Sequence, residues 1–202
     1  MEKRLMDLLI KNGISEAGEK FGIEEIELIE KEYDIVLPDD YKDFLQEYGG
    51  TYFTRDGSFL SEHNRKSYCA MFFGLMDNMN SLKENIEDYL GRVPSSIIPF
   101  ADADGGNKLC IDVKEDTFGK IYFWNHEQEL EAYRMLHPNK KYPTIDEYWD
   151  NLELMANSFT EFMLSYNIEE EASEKISSNV EAVFSENLLA MLKNRNKEKF
   201  NK

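Results

Sequence analysis

Asp102-Ala103-Asp104-Gly105-Gly106-Asn107, with Asp112 a few residues on, has the residue types and spacing that come nearest to a metal site. Alternating oxygen ligands of this kind suit calcium. The EF-hand pattern fails, however. With Asp102 as first ligand, Asn107 stands where glycine is required and Val113 where the bidentate glutamate belongs. A polar hairpin turn accounts for the same residues. The histidines, His63, His126 and His137, share no metal-ligand spacing, and no Cys-x-x-Cys completes a zinc site. His126 sits beside Glu127 in the position of a general base, but no nucleophile motif accompanies it. There is no G-x-S-x-G, no P-loop and no G-x-G-x-x-G, and Gly105-Gly106 does not open a helix pattern. The expectation is no catalytic residue, no metal and no cofactor. Nothing here requires an enzyme.

The charge is informative about partners. The 202 residues carry 40 acids against 23 bases, a net charge of -17. That much negative charge repels phosphate backbones and anionic lipid, which argues against direct nucleic-acid or membrane-surface binding. A basic protein partner fits instead. Solubility alone also explains many of the acids, since a negative surface prevents self-association. Cys69 and Cys110 are too few for a disulfide scaffold and lie among apolar neighbours, where inert packing is the expected role. Asp7 interrupts the apolar core a signal peptide would need, and no apolar run approaches membrane-spanning length. The chain reads as cytoplasmic.

The elements that position these residues follow from periodicity. Leu5, Leu8 and Leu9 write a short helix stopped by Asn12-Gly13. Ile26, Ile29 and Tyr33 write a second, with acids on its outer face. Leu37-Pro38-Asp39-Asp40 starts a third, carried by Tyr41, Phe44, Leu45 and Tyr48 and stopped by Gly49-Gly50. Residues 51–68 read as an exposed, irregular strand and loop, and 68–75 as an apolar strand. Ser81-Leu82-Lys83-Glu84 matches a capping box opening a helix to about Leu90. Strands are expected at 97–101, 108–113 and 120–125. The turns between them are too short for parallel crossovers, so the three form an antiparallel meander. A long helix is expected over 144–166 from Trp149, Leu152, Met155, Ala156, Phe159, Phe162 and Met163. After an acidic linker, Val180, Val183, Phe184 and Leu188 write a last helix. The division is a domain over 1–166 and an appended segment over 167–202.

Three segments in this order resemble the SUKH superfamily of bacterial toxin-immunity proteins and fungal cell-wall-synthesis regulators. They are Leu37 to Leu45 closing on Tyr48-Gly49-Gly50, then Ile98-Pro99-Phe100-Ala101 running through Gly105-Gly106 into Ile121-Tyr122-Phe123, and finally 155–163. The resemblance covers roughly residues 20–166. It implies an α+β fold, a mostly antiparallel sheet with helices packed beside it, here with an extra C-terminal helix. Leu37, Pro38, Tyr41, Phe44, Gly49, Gly50, Pro99, Gly105 and Gly106 are then fold determinants. Leu37 and Pro38 join two helices, Gly49 and Gly50 permit positive φ at a helix end, and Gly105 and Gly106 turn a hairpin.

The resemblance further implies an immunity protein that neutralises a cognate toxin, often a nuclease, by stoichiometric association; the net charge of -17 adds the expectation that this toxin is basic. The alternative is a regulatory scaffold like the fungal members. An acidic inhibitor would be steered onto a basic nuclease at rates near ~10⁸ M⁻¹s⁻¹ at low salt. Asp102 and Asp104, clustered on a projecting turn, and Arg55 and His63, on the irregular stretch, are the candidate contacts.

Overall fold

The computed structural model describes residues 3–61, 63, 65–75 and 80–168. Apolar residues three and four apart make the first part of the chain helical. Helix α1 (Lys3–Lys11) buries Leu5 and Leu9, α2 (Ile23–Tyr33) buries Ile26 and Ile29, and α3 (Asp39–Glu47) buries Tyr41, Phe44 and Leu45. Pro38 stands immediately before α3 in extended conformation, so its missing N–H costs the helix nothing. The Leu37 N–H donates to Glu30 Oε1 at 2.8 Å, tying the linker back onto α2. Gly49, just past α3, has φ +62. Gly50 does not. It is glycine for another reason: a Cβ there would lie 2.7 Å from Gly74 Cα, so the two backbones touch.

Strands β1 (Gly57–Leu60) and β2 (Lys66–Ser67) follow, then β3 (Cys69–Phe72) and helix α4 (Leu82–Tyr89), whose Ser81 Oγ accepts from the Glu84 N–H. The meander comes next as β4 (Ile97–Ala103), β5 (Lys108–Asp112) and β6 (Ile121–Trp124), all antiparallel as the short turns require. Helix α5 (Leu130–Leu136), strand β7 (Leu152–Ala156), helix α6 (Phe159–Leu164) and the short β8 (Asn167–Ile168) complete the order. One sheet runs β3-β4-β5-β6-β7 and a smaller one β2-β1-β8. The fold is α+β.

Alternation along the meander gives the large sheet two different faces. Ile98 opposes Ile111, and Leu109 opposes Phe123, on the face that meets the helices. There Phe159 of α6 lies 5.0 Å from both Tyr41 and Phe44 of α3, and Phe59 of β1 stacks on Phe162 at 4.0 Å. Aromatic pairs at such separations add to the burial itself. On the other face Cys110 and Trp124 pack with Tyr89, Val93 and Ile97. Pro99 lies within β4 where the β4–β5 register shifts, a bulge that accommodates its missing donor.

Two expectations need correction. Residues 144–166 are not one helix. A capping box between Thr144 and Glu147 closes a single 3-10 turn, β7 follows, and only then does α6 begin. The spacing of Leu152, Met155 and Ala156 was compatible with a helix, but β6 offers an open edge. Asn125 N–H donates to Asn151 O at 2.9 Å and leads the chain into register along it. Ser158 Oγ then accepts from Glu161 N–H while Glu161 Oε2 accepts from Asn157 N–H, which restarts the helix. Residues 51–68 are likewise not simply exposed, since Phe59, Ser58 and Ser67 are buried. The last helix predicted around residues 180–192 lies outside the described residues.

The link between the outer sheet face and the 144–147 turn is testable by pH. Ser95 N–H donates to Asp146 Oδ1 at 2.7 Å, and this bond, partly opposed by desolvation, holds the carboxyl below its ordinary range. A depressed carboxylate stabilises above its unfolded pKa and loses that contribution as pH falls through the folded value. Asp146→Asn should therefore be less stable than the parent at pH 6 in urea titrations. The two should converge as pH falls through the depressed value of the Asp146 carboxyl.

Candidate partner-binding surface

The β4–β5 hairpin is a polar turn, as its residues suggest. Gly105 and Gly106 have φ +70 and +85, which an L side chain would resist. Asn107 organises the turn: its Nδ2 donates to Asp104 O at 2.7 Å, which leaves Oδ1 to accept from the His126 N–H at 3.0 Å. His126 Nδ1 lies 3.0 Å from the same oxygen, which can only accept, so this hydrogen bond needs the proton on Nδ1. His126 thus clamps the hairpin to the end of β6.

The two hairpin aspartates are not equivalent. Asp104 is exposed on the turn, its Oδ1 3.4 Å from the Tyr68 N–H. Asp102 lies within β4, ion-paired to Lys108 across the first rung of the hairpin. The Lys108 side chain is only 12% exposed, and its Nζ lies over the rings of Phe73 and Tyr89 at 5.1 and 5.2 Å. Asp102 therefore neutralises a largely buried ammonium, while Asp104 is the outward charge.

Arg55 and His63 are both exposed. Arg55 precedes β1 and donates from Nη1 to Lys11 O at 3.1 Å; His63 lies between β1 and β2. Among the described residues, no hydrogen bond or ion pair joins either one to Asp102 or Asp104. The four candidates occupy separate segments.

Elsewhere the reactive groups are committed to structure. Asp112 is fully buried, accepting from Lys114 N–H at 2.9 Å and from the Thr117 hydroxyl at 2.6 Å, which shapes the β5–β6 turn. Burial pushes both thiols up, helped at Cys69 by the Asp102 carboxylate and opposed at Cys110 by Lys108. Both shifts favour the thiol over the nucleophilic thiolate, with Cys110 buried and Cys69 half-buried. Among the described residues no group of three His, Cys, Asp or Glu side chains could hold a metal ion. No helix among them is long and apolar enough to cross a membrane.

Two concave features were not legible from single motifs. A groove of about 430 Å³ between α2 and α3 is lined by Glu27, Glu30, Asp39 and Asp43, with Lys42 bridging Glu30 at 3.4 Å and Asp39 at 3.1 Å. Desolvation pulls the Lys42 ammonium down, but those two carboxylates outweigh it and hold it up. The acids on the outer side of α2 were the available signal, but their meeting with α3 required the fold. The second feature is a smaller, mostly apolar cleft of about 200 Å³ where Gly18, Gly50 and Gly74 converge.

The geometry defines an α+β domain with helices packed against an antiparallel sheet. The family model described as SMI1 / KNR4 family (SUKH-1) matches residues 21–165. The SPbeta prophage-derived uncharacterized protein YokK of Bacillus subtilis (strain 168) is 33% identical over 159 residues, covering 70% of this chain and 72% of that protein. A solved structure described as a protein from Pseudomonas syringae pv. tomato aligns with a TM-score of 0.42 at 17% identity, over 68% of this chain and 96% of that one. The chain belongs to the SMI1/KNR4 family (SUKH-1), as its three motif segments indicated. That family includes toxin-immunity proteins, and its members are generally non-enzymatic immunity or regulatory proteins.

Proposed function

We propose that this protein is a cytoplasmic immunity protein that binds a cognate toxin and masks its active site stoichiometrically, without turnover. Membership in a family that includes toxin-immunity proteins carries the reading. The net charge of -17 supports a basic partner, and a nuclease, which must bind phosphates, is the basic toxin that fits best. The binding domain spans 1–166, with 167–202 appended to it. Exposed Asp104 supplies steering charge and Asp102 a weaker, internally paired contribution, while Arg55 and His63 add polar contacts from segments free to vary with the partner.

Co-expression with the product of the adjacent gene tests this. The expected result is a 1:1 complex that survives purification, relief of the partner's toxicity, and an association rate that falls steeply with salt. A partner that neither copurifies nor loses toxicity would overturn the proposal.

A further inference from the structure

The most exposed large apolar side chains among the described residues are two neighbours at the end of α5, Met135 and Leu136, each 77% exposed. They stand on a built knuckle. The Tyr142 hydroxyl donates to His137 O and lies 3.1 Å from Arg134 O, which folds residues 137–142 back onto α5. The Tyr133 ring stacks on His137 at 4.3 Å and meets the rings of Tyr142 and Tyr148 at 6.4 and 6.1 Å. The charge here runs against the rest of the molecule. Residues 132–145 contain Arg134, Lys140 and Lys141 and no acid, in a chain of net charge -17. Glu131 offsets Arg134, paired to it at 3.4 Å. Among the described residues no carboxylate pairs with Lys140 or Lys141, and Lys140 lies over the Tyr133 ring at 5.7 Å.

The same chain carries a surface of the opposite kind. The groove of about 430 Å³ between α2 and α3 is lined by four carboxylates, Glu27, Glu30, Asp39 and Asp43, against the single ammonium of Lys42. Its apolar lining comes from Ile26 and from Ile23, which is 63% exposed. One surface therefore offers apolar anchors among cations and the other an apolar lining among carboxylates. Apolar anchors supply binding energy, and charges of opposite sign around them supply register and exclude wrong partners.

We infer that the α5 knuckle docks into the α2–α3 groove of a second copy of this chain, setting Met135 and Leu136 against Ile23 and Lys140 and Lys141 against the groove's carboxylates. The contact joins two different surfaces, so it is heterologous. At about 0.15 M salt the Debye length is ~8 Å, which screens the net charges of two copies from each other more than the pairs in contact.

Light scattering and sedimentation of the full chain test this at about 0.15 M salt, from about 10 μM to about 1 mM protein. The mean mass should rise with concentration. Two variants divide the contact: Met135→Ser with Leu136→Ser removes the knuckle's anchors, and Glu27→Lys reverses a charge in the groove. All three positions are exposed, so each variant should keep the parent melting temperature while self-association weakens at least about tenfold. Mixing the two variants brings together one intact knuckle and one intact groove. The mixture should regain a complex that stops at the dimer. Lys140→Ser with Lys141→Ser, also at exposed positions, replaces the first variant should it lose its fold. The mass of a single chain at every concentration would overturn the inference. So would self-association that the variants retain, or a mixture that stays monomeric, since contacts through other surfaces give those results.

Discussion

Gly49→Ala is expected to cost about 3–5 kcal/mol, the upper end for one substitution and a large part of a typical domain's stability. Two effects combine. At φ +62 an alanine bears the left-handed penalty of about 1–2 kcal/mol. Its Cβ would also be driven against the Glu19 carbonyl, a backbone atom that yields only if the 18–20 segment moves. Gly91 supplies the control, with φ +77 and no atom within 4 Å of its notional Cβ. Gly91→Ala should therefore cost only the conformational part, about 1–2 kcal/mol. Urea unfolding of the two variants makes the comparison. Equal losses would mean that the close approach of the helix end to the 18–20 segment contributes nothing.

Asp102→Asn is expected to be the next most damaging change, at about 2–3 kcal/mol. That is below the ~3–5 of a fully buried broken pair because the Asp102 side chain is 30% exposed. The loss arises at Lys108, left charged between Phe73 and Tyr89 with its partner gone. Lys108→Met in the same chain should restore much of the stability, giving a coupling energy well above zero in a double-mutant cycle. Asp104→Asn, a change on the exposed turn, should stay within about 0.5 kcal/mol and act on association rate instead. Were Asp102→Asn as mild as Asp104→Asn, the Asp102–Lys108 pair would be a surface pair of no consequence.

The contrast between these aspartates marks how far residue order alone can be read. Both lie in one polar run, and two residues of separation cannot distinguish a strand position from a turn. What separates them is Lys108, which the hairpin folds back opposite Asp102. Helices α1 to α4 were legible because each carries its own period and its own stop or cap. The meander was legible because short turns admit only antiparallel pairing. Helix α5 and strand β7 were not, since a few half-buried apolar residues fit either period.

Residue order by itself determined the charge, the local helices, the hairpins and the motif set that places the chain in its family. Tertiary structure decided that residues 152–156 become an edge strand, because the free edge of β6 offers backbone partners that outweigh a weak helical spacing. It also decided that Gly18, Gly50 and Gly74 line one cleft. Side-chain types announce local conformation, but contact between residues far apart in sequence depends on how the helices and the sheet close over their shared apolar core.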